Sequence, residues 1–479
     1  MKRTKIVATI GPSTGTKEKL KKLIKAGMNV ARINFSHGNH SSNGKLITYI
    51  KELREELKTP IGIIADLQGP RIRTVVSEDI KIKKGEFVLI SDSSKKNNAE
   101  CQMSEKKCFS LDWPGILENI KIKNEILIED GLIKLKVVGK EKNFIRAQAI
   151  DEGVIKNHKG VNIPDTNLET GAVTKKDLED LMFALSQDVE YIALSFVSNA
   201  SEIIKVKNRI KKILGRTDRL PQVIAKIERK EAIKNISEII EASDAIMVAR
   251  GDLGIEMKES KVVIYQKEII AECLKAVTPV IVATQMLNSM IENPRPTRAE
   301  VGDVSNAVID HTDAVMLSGE TANGEYPIQS VEIMSEIINN TEKSPFDDLE
   351  HGFLGDKNQS ASAAIAHSAH ELLKDTKAKA IVVASVSGFT ARMISRHRPE
   401  SPIFVMTNNE KTHQQLSLIW GVQTFVLPDC QTMDELIDKS VEILKKEKVV
   451  KIGDKLIIIA GRPHKIKEHM SLVKVEEVR

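Results

Sequence analysis

Six polar positions or short segments carry the residue types best able to do chemistry: Arg32-Ile-Asn34-Phe-Ser36-His37, Asp66, Lys226-Ile-Glu228, Arg250-Gly251-Asp252, Thr284-Gln285 and Ser318-Gly-Glu320-Thr321. Glu228 and Asp252 are two carboxylates suited to share one hard cation, Mg²⁺ or Mn²⁺, with water and substrate oxygens completing the shell. Lys226 and Glu228 have the same parity on an extended segment, so their side chains project the same way. A lysine beside a metal-bound carboxylate pair is placed to neutralise a transferring anionic group. Gly251-Asp252 precedes a helical stretch whose backbone N–H groups can hold a carboxylate or phosphate. Arg32 and Arg73 add planar forks that grip phosphate. The combination indicates metal-assisted phosphoryl transfer. The chain has no GxxxxGK[ST], no GxGxxG after a strand and no HExxH, so phosphate handling falls to the metal, the lysine and the arginines. The histidine pairs His37/His40 and His367/His370 lack partner ligands and read as surface or capping residues.

Each of these segments lies where a strand leaves the core. Short β-branched runs, most followed by a turn residue and a helical pattern, occur at Lys5–Ile10, Asn29–Ile33, Ile61–Ala65, Tyr191–Ser195, Gln222–Ala225, Ala245–Val248, Pro279–Ala283 and Ala314–Leu317. Near-continuous apolar strands alternating with amphipathic helices predict a parallel sheet covered by helices, and this many in one region predict a closed (β/α)8 TIM barrel. In such barrels chemistry sits at the C-terminal ends of the strands, which is where the polar segments fall. The stretch from about Pro70 to Val161 differs. Its short alternating segments and turns such as Asp130-Gly131 predict an inserted all-β domain overhanging the barrel as a lid. After Ser344 a linker leads to further strand–helix alternation, read as a doubly wound α/β domain. The expected division is barrel 1–69, lid 70–166, barrel 167–343 and C-terminal regulatory and oligomerisation domain 344–479.

The chain's 479 residues are too many for one core. With 41% hydrophobic and 29% charged residues it reads as globular. A net charge of +5, only 4% aromatics and a basic run, Lys205 to Lys212, interrupted at helical spacing by Val206 and Ile210 give no sign of nucleic-acid binding. There is no signal-peptide core and no apolar stretch near the ~20 residues of a membrane span. Cys101, Cys108, Cys273 and Cys430 form no CxxC pair and are expected as reduced thiols in a cytoplasmic protein.

Four segments carry a resemblance: Ile224-Ala-Lys-Ile-Glu228, Met247-Val-Ala-Arg-Gly-Asp-Leu-Gly254, Ala283-Thr-Gln-Met-Leu287 and Met316-Leu-Ser-Gly-Glu-Thr321, together with the opening Thr4-Lys-Ile-Val-Ala-Thr-Ile-Gly-Pro12. From end to end the chain resembles the pyruvate kinase family. The resemblance implies phosphoryl transfer from phosphoenolpyruvate to ADP, giving pyruvate and ATP, in a homotetramer. It implies that Lys226 stabilises the phosphoryl group in flight, that Glu228 and Asp252 bind Mg²⁺, and that Arg32 grips the phosphate. Thr284, with Gly251 and Asp252 nearby, would hold the substrate carboxylate and help protonate the enolate carbon with Ser318 and Glu320. Asn34, His37, Arg73 and Lys159 would contact the nucleotide. Two rivals remain: a metal-dependent enolate-forming lyase or aldolase, and a catalytically silent metabolite sensor.

The sequence departs from the family in three places. Where the family reads Asp-Thr-Lys-Gly-Pro-Glu-Ile-Arg, this chain has Asp66-Leu-Gln-Gly-Pro-Arg71-Ile-Arg73. The acidic residue associated with K⁺ is thus Arg71, although the other side-chain ligands of that site, Asn34, Ser36 and Asp66, remain. K⁺ is accordingly expected to be dispensable. The lid exit ends in Asp165 where glycine commonly stands, and the chain stops at Arg479 without the extra domain of some bacterial relatives. In the C-terminal domain Ser387-Gly388-Phe389-Thr390, between a strand and a helix, is the candidate site for a phosphorylated effector. Phe389 there replaces the family's basic residue.

Overall fold

A computed structural model of the chain describes residues 2–93, 107–129, 131–141, 143–164, 166, 173–215, 220–349, 360–460, 470 and 472–479. Eight strands pair in parallel in chain order: Lys5–Ile10, Val30–Asn34, Gly62–Asp66, Tyr191–Leu194, Gln222–Ile227, Ala245–Ala249, Val280–Ala283 and Ala314–Leu317. The eighth returns to the first, closing the barrel. Val7, Val30, Ile64, Ile224, Met247 and Ile281 fill its interior, and the alternate residues Ile6, Ile63, Ile192 and Val282 meet the surrounding helices. Both faces are therefore apolar, which is why the strands read as continuous hydrophobic runs. The helices follow from their own signals. Ala200–Leu214, for example, buries Ile203, Val206 and Ile210 and turns its lysines to solvent.

Between the third and fourth barrel strands, seven short strands close into a second barrel. Their order is Ile145–Ala149, Phe87–Asp92, Cys108–Leu111, Ile72–Val75, Gly160–Asn162, Glu125–Ile128 and Ile133–Lys140. Ile90, Phe109, Leu135 and Ile145 are among the residues of its separate core. A single-turn helix, Ile116–Asn119, interrupts what the pattern predicts as purely β. Cys108 is disulfide-bonded, whereas Cys273 and Cys430 are free, which corrects the expectation of four reduced thiols. Sequence spacing gives no measure of which thiols a fold brings together. Asp165, expected at the lid exit, and Asp130 of the turn lie outside the described residues.

The C-terminal sheet has the order Val422–Val426, Ile403–Thr407, Ala380–Ala384, Lys455–Ala460 and Leu472–Glu477. The first four run parallel. The last, absent from the sequence reading, is antiparallel at the edge, where Lys474 and Glu476 make it look like a polar tail. This domain docks against the start of the barrel strands. Lys5 Nζ donates to the Val422 carbonyl at 2.7 Å, the Gly62 N–H donates to Ser417 Oγ at 2.8 Å, and the Tyr191 hydroxyl donates to the Gln415 carbonyl. Leu418 plugs that end of the barrel. The stretch read as a linker begins with a turn, Pro345–Asp347, whose buried Asp347 lies 3.0 Å from Arg3. The C-terminal ends of the barrel strands are left free of this docking. Among the described residues no helix is long and apolar enough to cross a membrane.

Candidate active site

The polar segments meet at the rim of the barrel because neighbouring strands end level. Asn34 pairs with Asp66 across the second and third strands, and Ile227, next to Glu228, follows the Lys226–Met247 pair of the fifth and sixth. Lys226, 8% exposed, is the centre of the cluster. Its ammonium lies 2.8 Å from Glu228 Oε1 and 3.3 Å from Asp66 Oδ1, and donates to Ser195 Oγ at 2.7 Å. Burial pulls the lysine pKa down, but Asp66 and Glu228 outweigh it and hold the pKa above its ordinary value. Asp66 shows the mirror image. Burial pushes its carboxyl up, yet Lys226 and Arg32 together hold it below the usual carboxylate range. Arg32 donates from Nε to Asp66 Oδ2 at 2.7 Å and from Nη1 to Thr9 Oγ1 at 2.9 Å. Two cations and two carboxylates thus sit in one buried network whose charge is fixed before any substrate arrives.

The loops leaving the strands are strained, and the site residues hold them. Phe196, Thr284 and Gln285 have φ of 57°, 69° and 55°, a left-handed backbone that costs a β-branched or bulky residue about 1–3 kcal/mol. Glu228 Oε2 accepts the Phe196 N–H at 2.6 Å. Thr284 is held at both ends. Its Oγ1 accepts the Gly251 N–H at 2.8 Å, and its carbonyl accepts from Arg250 Nη2 at 2.7 Å. Arg250 is itself anchored by Asp303 at 2.7 Å. Ser195, Phe196 and Arg250 were given no role from the sequence. Ser195 was in view as the last residue of a strand run, and Arg250 as part of a motif, but only the fold shows what they grip.

The rest of the expected site divides. Glu320, 1% exposed, spends both oxygens on backbone N–H groups, those of Leu287 at 3.0 Å and Ser318 at 2.7 Å, and so ties together two loops of the rim. Ser318 Oγ is buried and has no partner among the described residues. Asn34 Oδ1 accepts the Ser36 N–H at 3.0 Å. His37 is exposed, and its pKa is lowered by partial desolvation and then by Arg73, Arg32 and Arg71, so these groups share one region. Arg73 donates to the His158 carbonyl at 3.2 Å, and Lys159 pairs with Glu129 inside the lid. Arg71 lies over Gly160, where a Cβ would stand 2.8 Å from Nη2. In the C-terminal domain Gly388 takes φ 76° at the start of Phe389–Ser395, the Phe389 N–H donates to Ser387 Oγ at 3.4 Å, and Thr390 is buried. Gly388 is the N-cap of that helix, without a side-chain capping bond, and one of the two expected hydroxyls is turned away from solvent.

The donor set fits a magnesium-type cation. Glu228 and Asp252 offer hard oxygens from adjacent strand ends, and no cluster of three or more His, Cys, Asp or Glu side chains suited to a metal occurs among the described residues. A two-carboxylate site that leaves most of the shell to water and substrate oxygens is the arrangement expected of Mg²⁺ working on a phosphate.

Comparison with known proteins agrees with this geometry. Residues 1–331 match the model of the pyruvate kinase barrel domain, and residues 363–476 match that of the pyruvate kinase alpha/beta domain. The chain is 40% identical to pyruvate kinase of Geobacillus stearothermophilus over 487 aligned positions, covering 100% of this chain and 80% of that one. It is 38% identical to pyruvate kinase of Clostridium perfringens, covering 100% of both. A crystal structure of a pyruvate kinase from Cryptosporidium parvum superposes with a TM-score of 0.92 at 35% identity, over 100% of this chain and 96% of that one. The chain belongs to the pyruvate kinase family.

Proposed function

We propose that this enzyme transfers the phosphoryl group of phosphoenolpyruvate to ADP, giving pyruvate and ATP. The observation that carries the reading is the Lys226 ammonium, buried at the rim and held in its charged state by Asp66 and Glu228. A fixed cation of this kind stabilises charge on a phosphoryl group in transit without reorganising at the moment of reaction. Mg²⁺ or Mn²⁺, bound by Glu228 and Asp252, would supply Lewis-acid polarisation of the phosphate and enolate oxygens. Arg32 is pre-oriented by Asp66 and Thr9 to present its fork to the phosphate. Thr284, braced by the Gly251 N–H, and the N–H at Asp252 hold the substrate carboxylate, and Arg250 keeps Thr284 in its strained conformation. Ser318, with its unpaired buried hydroxyl, is the candidate to pass a proton toward the enolate carbon.

His37, Asn34, Arg73 and Lys159 contact the nucleotide in this reading, with Lys159 leaving Glu129 to do so. Arg71 supplies the fixed positive charge that K⁺ supplies elsewhere, and its influence on His37 supports that placement. The homotetramer and a phosphorylated effector at Ser387, Gly388 and Thr390 complete the proposal. Measuring ATP formation from phosphoenolpyruvate and ADP with Mg²⁺, with and without K⁺, tests it. No ATP in either condition would reject the function, and tenfold or greater activation by KCl would reject the role of Arg71.

A further inference from the structure

Far from the rim, a cleft opens between the barrel and the C-terminal domain. It lies between the end of barrel helix Glu259–Ala276, with the following Thr278, and the segment around helix Phe389–Ser395. Its charged lining is Arg392, Arg396 and Arg398 against one carboxylate, Asp313. That carboxylate is already committed. It pairs with Arg398 at 3.2 Å and accepts the N–H groups of Val280 at 3.1 Å and Trp420 at 3.3 Å. Arg396 is different. It is 7% exposed, and among the described residues its Nε is buried without a partner and no ion pair or side-chain hydrogen bond holds its guanidinium. Burial alone weighs on its charge, with no carboxylate near enough to offset it. The same charge, after burial, helps push the neighbouring His397 down to about 3.

A guanidinium held out of bulk water is costly unless something neutralises it. Among the described residues nothing does so, while the surroundings are arginine-rich and the cleft opens to solvent. We propose that this interdomain cleft binds a small oxyanion, inorganic phosphate or the phosphate end of a metabolite, with Arg396 as its principal ligand. Arginine is the residue suited to the task, because its planar fork meets two oxygens of a phosphate at once. The site is separate from the rim, lying at the opposite end of the strands, and separate from the cap at Ser387.

The test is the melting temperature of the full chain at pH 7.5 as sodium phosphate replaces sodium chloride at constant ionic strength. Sulfate and glycerol phosphate serve as parallel titrants, and wild type is compared with Lys226→Met, Arg396→Met and Arg396→Lys. Lys226→Met takes one of the two buried cations out of the rim, so a response arising there would shrink in it. A saturable rise of about 1–2 °C is expected in wild type and Lys226→Met, lost in Arg396→Met and reduced in Arg396→Lys. Equal response to phosphate and sulfate assigns the site to free oxyanions, and a response confined to glycerol phosphate assigns it to an ester. A rise that persists in Arg396→Met, or disappears in Lys226→Met, overturns the proposal. So does a loss of oligomeric state in Arg396→Met with no oxyanion response in wild type, because Arg396 would then pair with a second copy of the chain. Should Arg396→Met fail to fold, Arg396→Lys carries the test, and a response equal to wild type would overturn the site.

Discussion

Two buried cations, Lys226 at the catalytic rim and Arg396 in the interdomain cleft, are 8% and 7% exposed, yet their surroundings treat them oppositely. Lys226 meets Asp66, Glu228 and Ser195, and its pKa is raised in spite of burial. Arg396 meets no counter-charge among the described residues, and its pKa is lowered by burial. Burial therefore says nothing by itself about what a charge is for. A cation that the protein neutralises internally is preorganised for a step in which charge moves, whereas one left uncompensated is waiting for a ligand to arrive.

The largest effect that follows is at Lys226. Lys226→Ala should lower kcat by roughly a hundred- to a thousand-fold with a smaller change in KM, because one preorganised donor contributes about 3–4 kcal/mol to a transition state. A variant that turns over normally and loses only affinity would break the contrast. Next come the loop-holding residues. Arg250→Met should lower kcat about tenfold or more by releasing Thr284 from its left-handed backbone, and Arg250→Lys should restore part of it. Steady-state kinetics of both variants decide this, since a purely structural residue would change stability and leave kcat per folded enzyme intact. Glu228→Gln and Asp252→Asn should each shift half-activation to higher Mg²⁺, and unchanged metal titrations in both would remove them from the metal's shell.

A smaller effect tests the cationic side of the cleft. His397 is held neutral, with its pKa pushed down to about 3, and unfolding returns it to about 6.5. The unfolded chain then binds the extra proton, so His397 subtracts stability progressively as pH falls through 6.5 toward 3 and has no such effect at pH 7.5 and above. The drop in melting temperature between pH 7.5 and 5.0 should therefore be smaller in His397→Gln than in wild type. An identical drop would place His397 in an ordinary environment.

Much of the barrel was legible because its strands are apolar on both faces and their polar ends coincide with the catalytic rim. Lys226, Glu228 and Arg32 could be chosen from residue type and parity alone, and the structure brings them into one network with Asp66. What stayed hidden depends on contacts distant in sequence. The grip of Arg250 on Thr284 spans two loops, and a threonine at φ 69° runs against its own preference, so no local signal announces it. The strand Leu472–Glu477 was missed because an edge strand with alternating charge looks like a solvated tail. The isolation of Arg396 was equally invisible, whereas Glu228, two residues from Lys226 and of the same parity, already marks one counter-charge of the lysine and the fold adds only Asp66.

The most direct test of the account is one assay on two variants. ATP formation from phosphoenolpyruvate and ADP, at saturating Mg²⁺ and without added phosphate, is measured for Lys226→Met and Arg396→Met beside wild type. The account predicts a kcat loss of about a hundredfold or more in Lys226→Met and wild-type turnover in Arg396→Met. Wild-type turnover in Lys226→Met would contradict it.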